Sequence, residues 1–252
     1  LAPRGGAAFS PLAVAPLGWW DVSDTATLWQ DTAGTSAVTA DGQSVARIND
    51  KSGNGLHMTQ AVASCRPVYR TSGGLHWLEF DGVDDFLVAS SAAALAATHE
   101  VFVAANVTAP ASGANGALWS YAASAANGAA SDTELLIYGD GATKRFRSRY
   151  PGLDNYASGT IVTSHMGAAA AFWQGKFGST DTRQATNGGA STTFTGASTS
   201  IPASGHYRIG PATYSQQYLA GRYYGSAVTP VLSSTDRAKF NTWLGAKAGL
   251  TI

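Results

Sequence analysis

The chain has 252 residues, and its 16 basic side chains balance 16 acidic ones, with only 13% of residues charged. This neutrality gives no support to a nucleic-acid partner or to insertion in an anionic membrane, because both favour a basic surplus. The single cysteine, Cys65, excludes an intrachain disulfide, and no apolar run approaches the roughly 18 residues of a membrane-spanning helix.

Residues 1–16 are rich in Pro, Ala and Gly, which is typical of a linker or a lead-in from a preceding segment. From residue 17 to residue 252, short apolar alternations are separated by Gly, Asn and Asp clusters, which predicts one β domain. The acidic residues are mostly Asp, a turn residue, and only Glu79, Glu100 and Glu134 are Glu. This bias also favours a fold of strands and loops.

Four segments carry strand signals. Residues 98–109 place Val and Ala on alternate positions, which predicts a half-buried strand. Residues 133–150 predict a hairpin around an Asp-Gly turn. Residues 204–210 and 218–230 predict two further strands.

One helix is predicted at the end of the chain. Ser233 followed by Asp236 three residues later resembles a capping box, and Gly249 stands where a helix C-cap belongs. The helix carries an apolar stripe that would dock on a sheet, formed by Phe240, Trp243 and Leu244. Together the elements predict an all-β fold, a two-sheet antiparallel sandwich with one short C-terminal helix.

The segment 76–87 concentrates acidic residues in a chain that is otherwise poor in charge; they are Glu79, Asp81, Asp84 and Asp85. Part of it is a near miss to the Glu-x-Asp-x-x-Glu strand signature of retaining β-glucanases. Strand alternation would place Glu79 and Asp81 on one face. Gly82 follows directly, however, and interrupts the straight strand that would hold two acids about 5 Å apart.

Two other interpretations of this segment stay open. The carboxylates of Asp81, Asp84 and Asp85 are weak candidates for a calcium site, because hard cations bind several converging oxygens. The simplest interpretation is a glycine-bearing turn between two strands, in which Asp bonds backbone amides. We take the turn as our prediction and keep the acid pair and the calcium site as alternatives.

Two other features are candidates for ligand binding. Arg145, Arg147 and Arg149 alternate along a predicted strand and would form a basic stripe suited to carboxylate or sulfate groups of acidic polysaccharides. Trp173 could offer an aromatic platform for a sugar ring. Both features also have a purely structural interpretation. The stripe would then be a solvated outer face of a sheet, and the tryptophan would be part of the core.

No familiar catalytic motif is present in the sequence. It contains no Gly-x-Ser-x-Gly elbow, no dinucleotide-binding glycine motif and no His-Glu-x-x-His zinc motif. The five His are scattered singly, and nothing near Cys65 marks a nucleophile. We therefore predict no catalytic residue and, apart from the calcium alternative, no cofactor.

Several segments taken together resemble a known family. In order, they are Trp-Asp-x-Ser-Asp, Trp-Gln-Asp-x-Ala-Gly-Thr, Asp-Lys-Ser-Gly-Asn-Gly, Arg-Pro and Phe-Asp-Gly-x-Asp-Asp-Phe-Leu, and the closing strand and helix follow the same pattern. This set resembles the laminin-G-like, concanavalin A-like lectin domains of phage or prophage tail fibre and spike proteins. The resemblance covers roughly residues 18–90 and 205–252, and the middle of the chain is generic.

The resemblance implies a jelly-roll sandwich that recognises glycans or host receptors. It also implies bacterial surface polysaccharide or a receptor as partner, contact with other virion proteins, a homotrimer, and a place on the surface of a virion or extracellular particle. Calcium occurs in some relatives of this kind. The acidic segment would then be a fold signature, with Phe80 and Phe86 supplying core.

These observations lead to one main hypothesis and two alternatives. The main hypothesis is a non-enzymatic carbohydrate- or receptor-binding domain. The first alternative is a structural decoration or assembly domain of a virion. The second is an enzyme that degrades polysaccharide with Glu79 and Asp81.

Overall fold

The fold was analysed on a computed structural model of the chain. It describes residues 9–96, 98–107, 115–123, 133–140, 143–150, 153–156, 171–177, 182–186, 192–194, 204–211 and 218–251. For residues 115, 133–134 and the described part of 136–194, the description covers the backbone alone.

Most described elements are β-strands. The strands are β1 (Gly18–Asp21), β2 (Leu28–Trp29), β3 (Arg47–Ile48), β4 (Met58–Thr59), β5 (Val68–Ser72), β6 (Leu75–Asp81), β7 (Leu87–Ala89), β8 (His99–Val107), β9 (Asn115–Ala122), β10 (Thr133–Asp140), β11 (Thr143–Tyr150), β12 (Leu153–Tyr156), β13 (Ala171–Phe177), β14 (Thr182–Thr186), β15 (Thr192–Phe194), β16 (His206–Ile209) and β17 (Ala220–Thr229). The α-helix α1 spans Ser234–Lys247, and short 3-10 helices span Pro11–Val14, Thr25–Thr27 and Ala63–Cys65.

The strands form two antiparallel sheets. Sheet A has the order β15-β14-β13-β8-β17-β6-β5, with β1 also paired to β17, and sheet B has the order β12-β11-β10-β9-β16-β7-β4-β3-β2. The predicted hairpin is confirmed, because β10 and β11 pair antiparallel from Glu134↔Arg149 to Asp140↔Thr143. The predicted all-β sandwich with one C-terminal helix is therefore confirmed for the described residues, while the jelly-roll winding stays a prediction.

The main core lies between the two sheets and is rich in aromatic rings. Tyr207 of sheet B lies 6.1 Å from the ring of Trp20 in sheet A and 6.1 Å from that of Trp119 in its own sheet. The indole Nε1 of Trp20 donates a hydrogen bond of 2.9 Å to the carbonyl of Leu56, so this buried polar group is satisfied. Large rings fill the space between sheets and leave few polar groups to satisfy.

A second core lies on the outer face of sheet A, where α1 docks. Phe240 of the helix packs on Phe102 of β8 with ring centroids 4.5 Å apart. Residues 98–109 were predicted to form a half-buried strand; the strand is confirmed, but the prediction of half burial is wrong. Val101 and Val103 face the main core, and Phe102 faces the helix, so β8 is buried on both faces.

The ends of α1 are set by the residues that the sequence indicates. The Ser233 hydroxyl oxygen accepts a hydrogen bond of 3.1 Å from the backbone N–H of Asp236, which confirms the predicted N-cap. Gly249 has a φ of +76°, the left-handed conformation that ends a helix at little cost for glycine. No helix among the described residues has the length and apolar character needed to cross a membrane.

The segment before β1 also contacts the second core. Phe9 packs edge-on against Phe240 with ring centroids 5.9 Å apart, and Val14 lies against the same cluster. The backbone N–H of Leu17 bonds the carbonyl of Val228 at 2.7 Å. The boundary between residues 16 and 17 stays a prediction.

Candidate functional site

The acidic segment begins on β6, which lies between β17 and the edge strand β5 of sheet A. Leu78 and Phe80 of this strand are buried in the main core, and alternation therefore places Glu79 and Asp81 on the opposite, outer face. The expectation that the two acids share a face is confirmed. Glu79 is half-buried and Asp81 is exposed.

A tight turn follows β6 and is held together by its own aspartates. Gly82 has a φ of +78°, and the Asp81 carboxylate accepts hydrogen bonds from the backbone N–H groups of Val83 at 2.8 Å and Asp84 at 3.4 Å. In return, the Asp85 carboxylate accepts the backbone N–H of Asp81 at 2.9 Å. The prediction of a glycine-bearing turn is confirmed. We call residues 81–85 the acid turn.

The acid turn brings three carboxylates together in unlike surroundings. Asp81, Asp84 and Asp85 each place one oxygen within 4.8 Å of the others. Asp85 is only 4% exposed, and burial, followed by the charges of Asp81 and Asp84, raises its pKa from the ordinary 3.8 to about 6. Asp85 therefore keeps its proton up to about pH 6, beside two carboxyl groups that are more exposed to water. Environments that separate acids in this way are typical of acid–base chemistry.

The same carboxylates are an incomplete calcium site. Ca²⁺ binds roughly six to eight oxygens, and one oxygen from each of the three side chains supplies at most half of that number. One oxygen each of Asp81 and Asp85 is also engaged by the backbone of the turn. A calcium ion would find only part of its ligands in Asp81, Asp84 and Asp85. Calcium binding there stays a prediction.

Glu79 and Asp81 do not form an acid pair. The Trp77 indole Nε1 donates a 2.6 Å hydrogen bond to Glu79 Oε2, and Arg222 Nε lies 3.7 Å from the same oxygen. Glu79 thus accepts a hydrogen bond from Trp77, two positions before it, while Asp81 accepts one from Val83, two positions after it. The two carboxylates are thus held by different hydrogen-bond partners, which does not fit a nucleophile and an acid that act together.

The sequence argument missed Arg222 and the buried character of Asp85. Arg222 lies in β17, and only the pairing Arg222↔Glu79 between β17 and β6 brings it to the acidic segment. No local pattern signals a contact between strands so far apart in sequence. For Asp85, the residue type gives no sequence signal of burial, because Asp is rarely buried unless it is paired.

The predicted ligand-binding residues lie on different sheets. Arg145, Arg147 and Arg149 occupy alternate positions of β11 in sheet B, in register with Tyr138, Leu136 and Glu134. Trp173 lies on β13 in sheet A, in register with Val103 and Thr186. Their side chains lie outside the described part of the structure, so ligand binding there stays a prediction.

An open cavity of about 520 Å³ lies on the outer side of α1 and is lined mainly by apolar groups, including Phe9, Thr242 and Trp243. No carboxylate lines it. Most glycoside hydrolases use a pair of carboxyl groups at the reacting atoms, so this cavity suits such chemistry less well than the acid turn does.

Comparison with known proteins gives matches in structure but not in sequence. No family model and no curated protein matches the chain. A GH54 α-L-arabinofuranosidase soaked with a cyclic sulfate inhibitor matches with a TM-score of 0.58 at 15% identity, over 92% of this chain and 63% of its own. A mutant of such an enzyme soaked with 4-nitrophenyl α-L-arabinofuranoside matches with a TM-score of 0.57 at 16% identity, over 81% of this chain and 51% of its own.

A sialidase matches as well. Trypanosoma rangeli sialidase in complex with sialic acid gives a TM-score of 0.58 at 12% identity, over 98% of this chain and 35% of its own. The chain therefore spans 51–63% of the arabinofuranosidase chains and about a third of the sialidase. At these identities the matches establish the fold, a β-sandwich that occurs in carbohydrate-processing proteins.

These matches correct the main functional hypothesis. A non-enzymatic carbohydrate- or receptor-binding domain was expected, and a virion decoration domain was the first alternative, but the matching structures are glycoside hydrolases. The prediction that the chain is not an enzyme is contradicted on the same ground. The sequence argument failed because it required a local motif, whereas glycosidase carboxylates are brought together by the fold.

Proposed function

We propose that this chain is the β-sandwich part of an enzyme that degrades polysaccharide by hydrolysing glycosidic bonds. The observation that carries the proposal is the fold match to two kinds of glycoside hydrolase, over 81–98% of this chain. Because the chain spans only part of those enzymes, their substrates serve as a guide to the class of reaction.

The acid turn supplies the two carboxyl roles that such a reaction needs. Asp85, with a pKa raised to about 6, is protonated often enough near neutral pH to give its proton to the leaving glycosidic oxygen. Asp84, which is more exposed, would attack the anomeric carbon and form a glycosyl ester as that bond breaks. Water would then cleave the ester while Asp85 takes back a proton. One oxygen of each carboxyl group lies within 4.8 Å of the other, so the two groups are no farther apart than the about 5 Å typical of retaining enzymes.

The family resemblance supports a substrate class. If the chain is a laminin-G-like domain of a tail fibre or spike, the accessible polymer is bacterial surface polysaccharide, and the site of action is the surface of a virion or extracellular particle. Contacts with other virion proteins and a homotrimer belong to the same proposal. Light scattering of the purified chain tests the trimer directly.

The activity is tested by incubating the chain with bacterial capsular polysaccharides, 4-nitrophenyl α-L-arabinofuranoside and sialyllactose, and by measuring the sugar that is released. We expect release from at least one of them, reduced about 100-fold or more in Asp85→Asn and in Asp84→Asn. Asp41→Asn is the matched control, because Asp41 is an exposed carboxylate outside the acid turn. No release by the wild-type chain, or equal rates in the Asn variants, would overturn the proposal.

A further inference from the structure

Glu79 and Arg222 face each other on a part of sheet A that the helix leaves open. The register of β6 and β17 pairs Glu79 with Arg222, and the register of β17 and β8 pairs Arg222 with Asn106. Three polar side chains thus form a row across neighbouring strands of the outer face. Their neighbours closer to α1, Trp77 and Tyr224, are buried in the second core.

Arg222 is held in a fixed orientation. Its guanidinium lies over the Trp77 ring, with Cζ 4.6 Å from the ring centroid. It also hydrogen-bonds the phenol of Tyr224, which offsets part of the rise in the pKa of Tyr224 that burial causes. A guanidinium fixed on two sides loses little conformational freedom when a ligand binds.

The pair nevertheless keeps hydrogen-bonding capacity for a ligand. The side chains of Arg222 and Glu79 are 46% and 41% exposed, and the 3.7 Å between Arg222 Nε and Glu79 Oε2 is longer than a direct hydrogen bond. Guanidinium N–H groups and a carboxylate oxygen therefore lie side by side at the surface.

We propose that Glu79 and Arg222 form a subsite for a neutral sugar with two adjacent hydroxyl groups. One hydroxyl donates its hydrogen bond to the Glu79 carboxylate, and its neighbour accepts from the Arg222 guanidinium. The pair carries no net charge, and Glu79 repels a carboxylate ligand, so the subsite selects neutral sugars over acidic ones.

The subsite also explains how a substrate would reach the acid turn, and in this respect it rests on the proposed function. Asp81 lies two residues beyond Glu79 on the same face of β6, which is about 6.6 Å along a strand. A sugar held by Glu79 and Arg222 would place the next sugar of the same chain over the acid turn. Glu79 and Arg222 are positioning residues in this arrangement.

The test is direct binding of neutral oligosaccharides (arabino-, xylo-, gluco-, manno- and galacto-oligosaccharides) and of sialyllactose to the full chain. Calorimetry on Asp85→Asn avoids turnover. We expect at least one neutral oligosaccharide to bind more tightly than sialyllactose, and Glu79→Gln or Arg222→Gln to weaken it roughly 10-fold or more. Arg70→Gln is the matched control, because Arg70 lies on the neighbouring strand β5 and makes an exposed ion pair with Asp41.

Three results would overturn the subsite: no neutral oligosaccharide binds, sialyllactose binds more tightly, or both Gln variants bind as the parent does while unfolding at its temperature. Failure of the proposed function would look different. If binding depends on Glu79 and Arg222 but no sugar is released, the proposal of a subsite stands and the proposal of hydrolysis is wrong. If sugar is released and the KM is unchanged in Glu79→Gln and Arg222→Gln, the proposal of hydrolysis stands and the proposal of a subsite is wrong.

Discussion

Arg237 of α1 forms an ion pair with Glu100 of β8, a carboxylate with no exposed surface. Arg237 Nε lies 3.1 Å from Glu100 Oε1, and a terminal nitrogen of the same guanidinium contacts that oxygen. The backbone N–H of Leu232 donates to the other oxygen at 3.3 Å. The helix is therefore anchored to the sheet by a buried, fully engaged charge as well as by its apolar stripe.

Arg237→Met removes this anchor and leaves Glu100 as a buried charge without its ion-pair partner. We expect the free energy of unfolding to fall by about 3–5 kcal/mol, measured by urea denaturation at pH 7. Lys239→Met is the matched control on the same helix, because Lys239 pairs with Asp236 at the exposed surface. Its effect should stay below about 1 kcal/mol. Equal effects of the two substitutions would contradict the role of the buried pair.

The raised pKa of Asp85 makes stability depend on pH in a defined window. Between the ordinary pKa of 3.8 and about 6, the folded chain binds more protons than the unfolded chain. The contribution of Asp85 to stability is therefore complete below pH 3.8, is lost as pH rises through 6, and stays lost above it. Asp85→Asn removes the charge, and its amide oxygen can still accept the Asp81 N–H.

We expect Asp85→Asn to be more stable than the wild-type chain by roughly 2–3 kcal/mol at pH 8 and nearly equal to it below pH 4. Urea denaturation at several pH values measures the difference. Asp41→Asn, a substitution at an exposed carboxylate outside the acid turn, is measured beside it as the control. A loss of stability at pH 8 in Asp85→Asn would contradict the buried-acid interpretation. If Asp85→Asn gains stability and loses hydrolysis, Asp85 is a catalytic acid whose burial costs the folded chain stability.

Gly82 is required by both backbone conformation and space. Its φ is +78°, and a Cβ built there would lie 2.7 Å from Cβ of Ala220. Gly82→Ala should lower the free energy of unfolding by about 2 kcal/mol or more. Gly73→Ala separates the two causes, since Gly73 has a φ of +59° and nothing within 4 Å. Thermal unfolding should show the smaller effect for Gly73→Ala; equal effects would mean that crowding at Ala220 is unimportant.

Asp50 organises the loop after β3. Its carboxylate accepts hydrogen bonds from the backbone N–H groups of Trp19 at 3.0 Å, Ser52 at 2.9 Å and Leu56 at 3.1 Å. Asp50→Ala leaves these amides without an acceptor and should cost about 3 kcal/mol or more.

Asp50→Asn, which keeps one acceptor oxygen, should recover part of that loss. The melting temperature of the two variants gives the comparison. An Asn variant as unstable as the Ala variant would show that the negative charge, rather than the acceptor oxygen, holds the loop.

Local features of this fold could be predicted from the sequence, because their causes lie within a few residues. The N-cap at Ser233 and the acid turn depend on side chains that bond their own neighbourhood. The contact between Arg237 and Glu100 joins residues 137 positions apart, and the Glu79–Arg222 pair depends on which strands become neighbours. Neither is encoded in a local pattern. The candidate chemistry depends on burial and strand register, so the sequence argument located the acidic residues but not their roles.

Two different strands pair with successive parts of the same edge of β17. β6 pairs with Ala220–Tyr223 and β1 pairs with Gly225–Val228, while β8 occupies the opposite edge. During synthesis, β1 is made long before β17 and has no partner in sheet A until β17 follows. Such distant pairing slows folding and leaves strand edges open to other chains in the meantime. The ribosome must therefore extend the chain through β17 before sheet A can close, and a nascent chain cut short before β17 would be prone to aggregate.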